Sequence, residues 1–152
     1  MSLIQESKEE LKRADHLLYV SLKYTRTVDV IKSLIERLIS GIDFAIEALL
    51  QDAKEKKLIK EVPDNTGLKY ELARKLRKDD EKINDMVIFC TMLRKINKAE
   101  YKKSNEYRRH VTLTAITDSG IVNVNLDIIK EYYERAADYV DHVDQILNPR
   151  TE

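Results

Sequence analysis

Apolar residues recur at steps of three and four along most of this chain, and at steps of two in one stretch of its C-terminal third. The first period marks amphipathic helices and the second marks half-buried strands. Leu11, Ala14, Leu18 and Leu22 predict a first helix over residues 3–24, with Ser7 and Glu10 as a candidate capping box. The strongest signal follows. Val28, Ile31, Ile35, Leu38, Ile42, Ala45 and Leu49 form a near-heptad seam, and Leu34, Ile39, Ile46 and Leu50 widen it. So broad a face belongs to a central helix with neighbours on more than one side, ended by the charged stretch Lys54 to Lys57. Gly41 inside it costs about 1 kcal/mol of helix propensity, so its place there predicts a close helix crossing.

Pro63 to Gly67 reads as an interhelical loop, with Asn65 or Thr66 capping a short helix over residues 68–78. Asp79 and Asp80 open the next helix. Its stripe is Ile83, Met86, Val87, Cys90, Leu93 and Ile96, and it runs to about Tyr101. The period then changes to two. His110 to Ile116 and Ile121 to Leu126 alternate around Thr117-Asp118-Ser119-Gly120, which predicts a β-hairpin. The loop length sets Ile116 opposite Ile121, Ala115 opposite Val122, Leu113 opposite Val124 and Val111 opposite Leu126. Apolar residues are thereby expected on one face, with Thr112, Thr114, Asn123 and Asn125 on the other. A last helix begins at Asp127, carries Ile129, Tyr132, Ala136, Val140, Val143 and Leu147, and ends by Pro149. The fold class expected is therefore mainly all-α. One domain over residues 1–152 forms an antiparallel bundle of four main helices plus one short helix, with a β-hairpin inserted at about 110–126.

Composition narrows the chemistry. Lys+Arg and Asp+Glu are both 27, so the formal net charge is zero although 36% of residues are charged. Three glycines cannot build a phosphate-cradling loop, and one cysteine cannot build a disulfide or a cysteine-rich zinc site. No apolar run is long enough to cross a bilayer, and the N-terminus lacks the apolar core of a signal peptide. A cytoplasmic protein without membrane partners is expected. The three histidines, His16, His110 and His142, form no metal-binding spacing with each other or with acids, so no metal or other cofactor is expected. Glu6, Glu9 and Glu10 read as a solvated acidic face. Cys90 lies in a buried stripe and reads as a small core residue, and Ser119 reads as a turn residue.

Two features carry chemistry. Between residues 94 and 109, seven cations (Arg94, Lys95, Lys98, Lys102, Lys103, Arg108 and Arg109) face only Glu100 and Glu106, with Tyr101 and Tyr107 interleaved. Clustered cations displace counterions from a phosphate backbone, and tyrosine rings stack on unpaired bases, so this segment is a candidate RNA-binding edge. It could instead pair with the acidic last helix, which carries Asp127, Glu131, Glu134, Asp138, Asp141 and Asp144. The second feature is Arg135 and His142. Seven residues apart, they lie on nearly one line of the last helix, where a cation and an imidazole could grip a phosphate and move a proton.

The central segment Ser33 to Leu50 resembles the second helix of HEPN-type domains, and the Arg135 to His142 spacing fits the Arg–His motif many of them carry on a late helix. The resemblance implies an all-helical bundle with a long central helix. It also implies a homodimer that brings two Arg–His pairs into one cleft, where His142 would act on the ribose 2′-hydroxyl and Arg135 would clamp phosphate in metal-independent RNA cleavage. Non-catalytic HEPN-like domains bind RNA or protein partners. The stretch Tyr101 to Val111 is similar to that of an uncharacterised archaeal protein group. The expectation taken forward is a non-enzymatic interaction module. It binds RNA through the basic edge and dimerises through the wide apolar seam and the tyrosines Tyr132, Tyr133 and Tyr139. The alternatives are the ribonuclease and a purely structural or protein-binding bundle.

Overall fold

A 28-residue helix, α3 (Val28–Glu55), runs through the middle of the molecule, as its broad apolar face requires. The computed structural model describes residues 1–150. Around α3 pack α1 (Leu3–His16), α4 (Thr66–Leu76), α5 (Glu81–Lys98) and α6 (Leu126–Leu147). Fourteen residues of α3 are buried, among them Ile31, Leu34, Ile35, Leu38 and Ile42 with no exposed surface. Each such side chain contributes about 1.5–3 kcal/mol on removal from water, so this one helix anchors the core.

The predicted crossing at Gly41 is present. Ser7 Oγ donates to the Gly41 carbonyl at 2.5 Å, and a methyl group at position 41 would meet Leu11 Cδ2 at 3.3 Å. Ser7 is therefore a buried contact between α1 and α3 and not a cap. The capping box belongs to Ser2 and Gln5 instead. Glu10 also departs from the solvated reading. It is buried, and its carboxylate accepts from Arg13 Nη1 at 3.1 Å and from Arg37 Nη1 at 2.8 Å. Beyond α1 a π-helical turn (Leu17–Ser21) precedes the short α2 (Leu22–Tyr24). The extra residue in that turn rotates the apolar face, which leaves Leu18 only half buried while Leu22 is buried. Asn65, Asp80 and Asn125 cap α4, α5 and α6 by accepting backbone N–H groups, so the cap of the last helix lies two residues before Asp127.

The hairpin has the expected register. In β2 (Thr112–Thr117) and β3 (Gly120–Val124), Leu113 faces Val124, Ala115 faces Val122 and Ile116 faces Ile121. Leu113, Ala115 and Val124 are buried against the helices. Ile116 and Ile121 are instead exposed, because alternation sends neighbours of the buried residues to the other face. Val111 is buried ahead of β2, and Leu126 already belongs to α6, so the fourth expected pair does not form. A third strand joins the pair. The chain leaves α5 at Ala99 in an extended conformation and forms β1 (Glu100–Ser104), antiparallel to β2. Tyr101 is thus a strand residue and not the end of the fourth helix.

A cation-lined groove between two helices as candidate functional site

The turn from Arg77 to Asp80 folds α5 back along α4, and the two helices diverge enough to leave a groove of about 850 Å³. Tyr70 and Val87, from the buried stripes of α4 and α5, lie along its floor, and exposed Thr91 lines its side. Its rim holds six cations, Arg74, Lys75 and Lys78 from the α4 end and Arg94, Lys95 and Lys98 from α5, against the single carboxylate Glu71. In a chain of zero net charge that is a strong local excess of positive charge.

Below the rim a polar network fixes the floor. Arg94 Nε donates to Tyr70 Oη at 2.8 Å, and its Nη2 donates to Asp43 of α3. Tyr70 Oη donates to Asp43 in turn and lies 3.1 Å from Cys90 Sγ. Burial pushes the Tyr70 phenol well above its ordinary value, with the Cys90 and Asp43 charges adding to it. Burial, and then the Asp43 charge, push the Cys90 thiol up to about 12. Both groups stay protonated near neutrality. Cys90 has no exposed surface, so it is a structural hydrogen-bonding thiol, not a nucleophile. The network binds α3, α4 and α5 together and sets the Arg94 guanidinium at the groove edge.

The predicted basic residues divide between two places. Arg94, Lys95 and Lys98 line the groove. Lys102 and Lys103 lie on β1, and Arg108 and Arg109 lie on the loop that follows it. Arg94 is paired with Asp43, and Lys103 Nζ lies 3.0 Å from Asp29. Lys95, Lys98, Lys102, Arg108 and Arg109 have no carboxylate partner among the described residues. The acids of α6 pair elsewhere, Asp138 with Lys82 at 3.0 Å and Asp144 with Lys8 at 2.6 Å. Tyr101 is half buried, with Lys32 Nζ 4.9 Å from its ring centroid, while Tyr107 is exposed. Sequence reasoning missed Arg74, Lys75 and Lys78. They lie in a separate segment, and only the α4–α5 turn brings them to the same groove.

Arg135 and His142 are held apart from this groove. The Arg135 guanidinium lies 4.3 Å from the Phe89 ring centroid and donates to Tyr139 Oη at 3.1 Å. His142 Nε2 lies 2.8 Å from Asp80 Oδ2, tying α6 to the start of α5. Burial raises the Asp80 carboxyl, but the His142 hydrogen bond and the Ile83 and Lys82 backbone N–H groups outweigh it and hold it below its ordinary value. Tyr132 and Tyr139 are buried against Phe89, and Tyr133 meets Tyr19 edge to face. The tyrosines and the α3 seam are thus used within one chain. Among the described residues no His, Cys, Asp and Glu cluster could hold a metal ion, and no helix is long and apolar enough to cross a membrane. No family model, curated protein or solved structure matches this chain.

Proposed function

We propose that this chain is a non-catalytic RNA-binding module whose α4–α5 groove takes the sugar–phosphate backbone. The observation that carries the reading is the six-to-one excess of cations over carboxylates along the groove rim. From Thr66 to Lys75 the groove follows α4 for about 14 Å at the helical rise of roughly 1.5 Å per residue. That length admits a few nucleotides of a single strand. Lys95 and Lys98 lead toward Lys102 on β1, which extends the cationic track beyond the groove. The site is complete within one chain and needs no partner copy.

Cleavage by Arg135 and His142 is less well supported. His142 Nε2 is engaged by a carboxylate, Arg135 lies over an aromatic ring, and neither lines the groove. Fluorescence anisotropy with a labelled oligouridine tests the proposal. The wild type binds at low salt, and Lys95→Glu with Lys98→Glu weakens binding roughly hundred-fold, as expected when two phosphate contacts become repulsions. Equal binding by wild type and the double variant overturns the groove as the site. RNA cleavage that His142→Ala abolishes restores the ribonuclease reading.

A further inference from the structure

The loop between β1 and β2 is held in a shape its sequence does not favour. Tyr107 has φ of +66°, a left-handed conformation that a bulky L-residue rarely adopts, and Asn105 two residues earlier, a type that adopts this region readily, has φ of +54°. Two long-range bonds impose this shape. Tyr107 N donates to the Arg26 carbonyl at 2.6 Å, and Glu106 Oε2 accepts from Val28 N at 3.0 Å. The second bond turns the only acid of the loop inward to the start of α3. What the loop presents outward is the Tyr107 ring, 76% exposed, followed by the exposed and unpaired Arg108 and Arg109. An aromatic ring held proud of the surface by a strained, doubly anchored backbone is a preorganised contact, and strain of this kind persists where the surroundings over-determine it.

We infer that Tyr107 is a stacking platform for one unpaired base of single-stranded RNA, with Arg108 and Arg109 taking the adjoining phosphates. This rests on the RNA-binding reading above and adds to it the preference for unpaired strands. A ring offers its face to any base that is free to leave a stack, whereas a duplex has no such base to give. Tyr101 is half buried, with Lys32 already over its ring, and does not serve in this way; the sequence alone did not separate the two tyrosines.

Anisotropy titrations of an oligouridine of about twelve nucleotides, alone and as its duplex with oligoadenosine, test the inference. Tyr107→Asn removes the ring and tolerates the left-handed backbone, so the melting temperature is expected not to fall. It should lose roughly ten-fold in affinity for the single strand and nothing for the duplex, while Tyr107→Phe keeps wild-type affinity. The chain has no tryptophan, so Tyr107→Trp introduces a sole indole whose emission should fall when single-stranded RNA stacks on it. Unchanged single-strand affinity in Tyr107→Asn, or unchanged indole emission at saturation, overturns the inference. If the Lys95→Glu, Lys98→Glu variant loses binding in the same titration, the groove reading survives that result. A wild type that binds neither RNA overturns both.

Discussion

Asp80 holds two structures together with one side chain. Its Oδ1 accepts from Ile83 N at 3.2 Å and caps α5, and its Oδ2 binds His142 of α6 at 2.8 Å. Asp80→Ala removes both contacts. The cap contributes about 1 kcal/mol. The pair with His142 is about a quarter exposed on each side, so screening reduces it to about 1 kcal/mol as well. The sum of about 2 kcal/mol lowers the melting temperature by about 4–8 °C at this chain length. Asp80→Asn keeps a capping oxygen but loses the charge, so about half that loss is expected. The pH dependence has a definite sign. The Asp80 carboxyl is held below its ordinary value near 3.8, so its ionised form is favoured in the folded state. Its contribution is complete above that value and is lost as pH falls through the lower folded value. Circular dichroism melts of wild type, Asp80→Asn and His142→Ala between pH 7 and pH 3 read this directly. The gap between wild type and Asp80→Asn should narrow toward the acid end, and the two substitutions should be non-additive when combined. Equal stability of wild type and Asp80→Asn at pH 7, or a gap that does not narrow between pH 7 and pH 3, refutes the assignment of His142 as a structural partner.

Further outcomes follow from the core. Cys90 is buried and its thiol is pushed up to about 12, so iodoacetamide at pH 8 should leave the folded protein unmodified and label it only in denaturant; rapid native labelling contradicts the buried network. Gly41→Ala gains about 1 kcal/mol of helix propensity against a tight 3.3 Å contact with Leu11 Cδ2, so denaturant melts should show a net change within about 1 kcal/mol. Gly41→Leu drives a larger side chain into α1 and should cost about 3 kcal/mol, and a neutral result would contradict the close crossing.

The helices and the hairpin register were legible because each rests on a local period. The seam of α3 and the alternation around Leu113 and Val124 needed no knowledge of distant residues. The third strand was not legible. Glu100-Tyr-Lys-Lys-Ser104 is charged and exposed at every position but Tyr101, and it continues the basic texture of α5, so its strand identity comes from pairing with β2. Glu10 looked solvated because Arg37, which holds it, is 27 residues away. Of the candidate site, the sequence showed the α5 half of the rim but not the α4 half. It also gave Tyr107 and Tyr101 the same weight, since nothing in the residue tyrosine signals a left-handed backbone. In each case the missing information was a long-range contact.

The salt dependence of RNA affinity tests the central claim most directly. Arg94 is already paired and Glu71 offsets one further cation, which leaves four of the six rim cations for phosphates. At roughly 0.7 counterions released per contact on a single strand, the logarithm of the affinity should fall with the logarithm of salt concentration at a slope near −3, steeper if the β1–β2 loop also engages. Lys95→Glu with Lys98→Glu should flatten that slope. A wild-type affinity that does not change with salt would contradict the account.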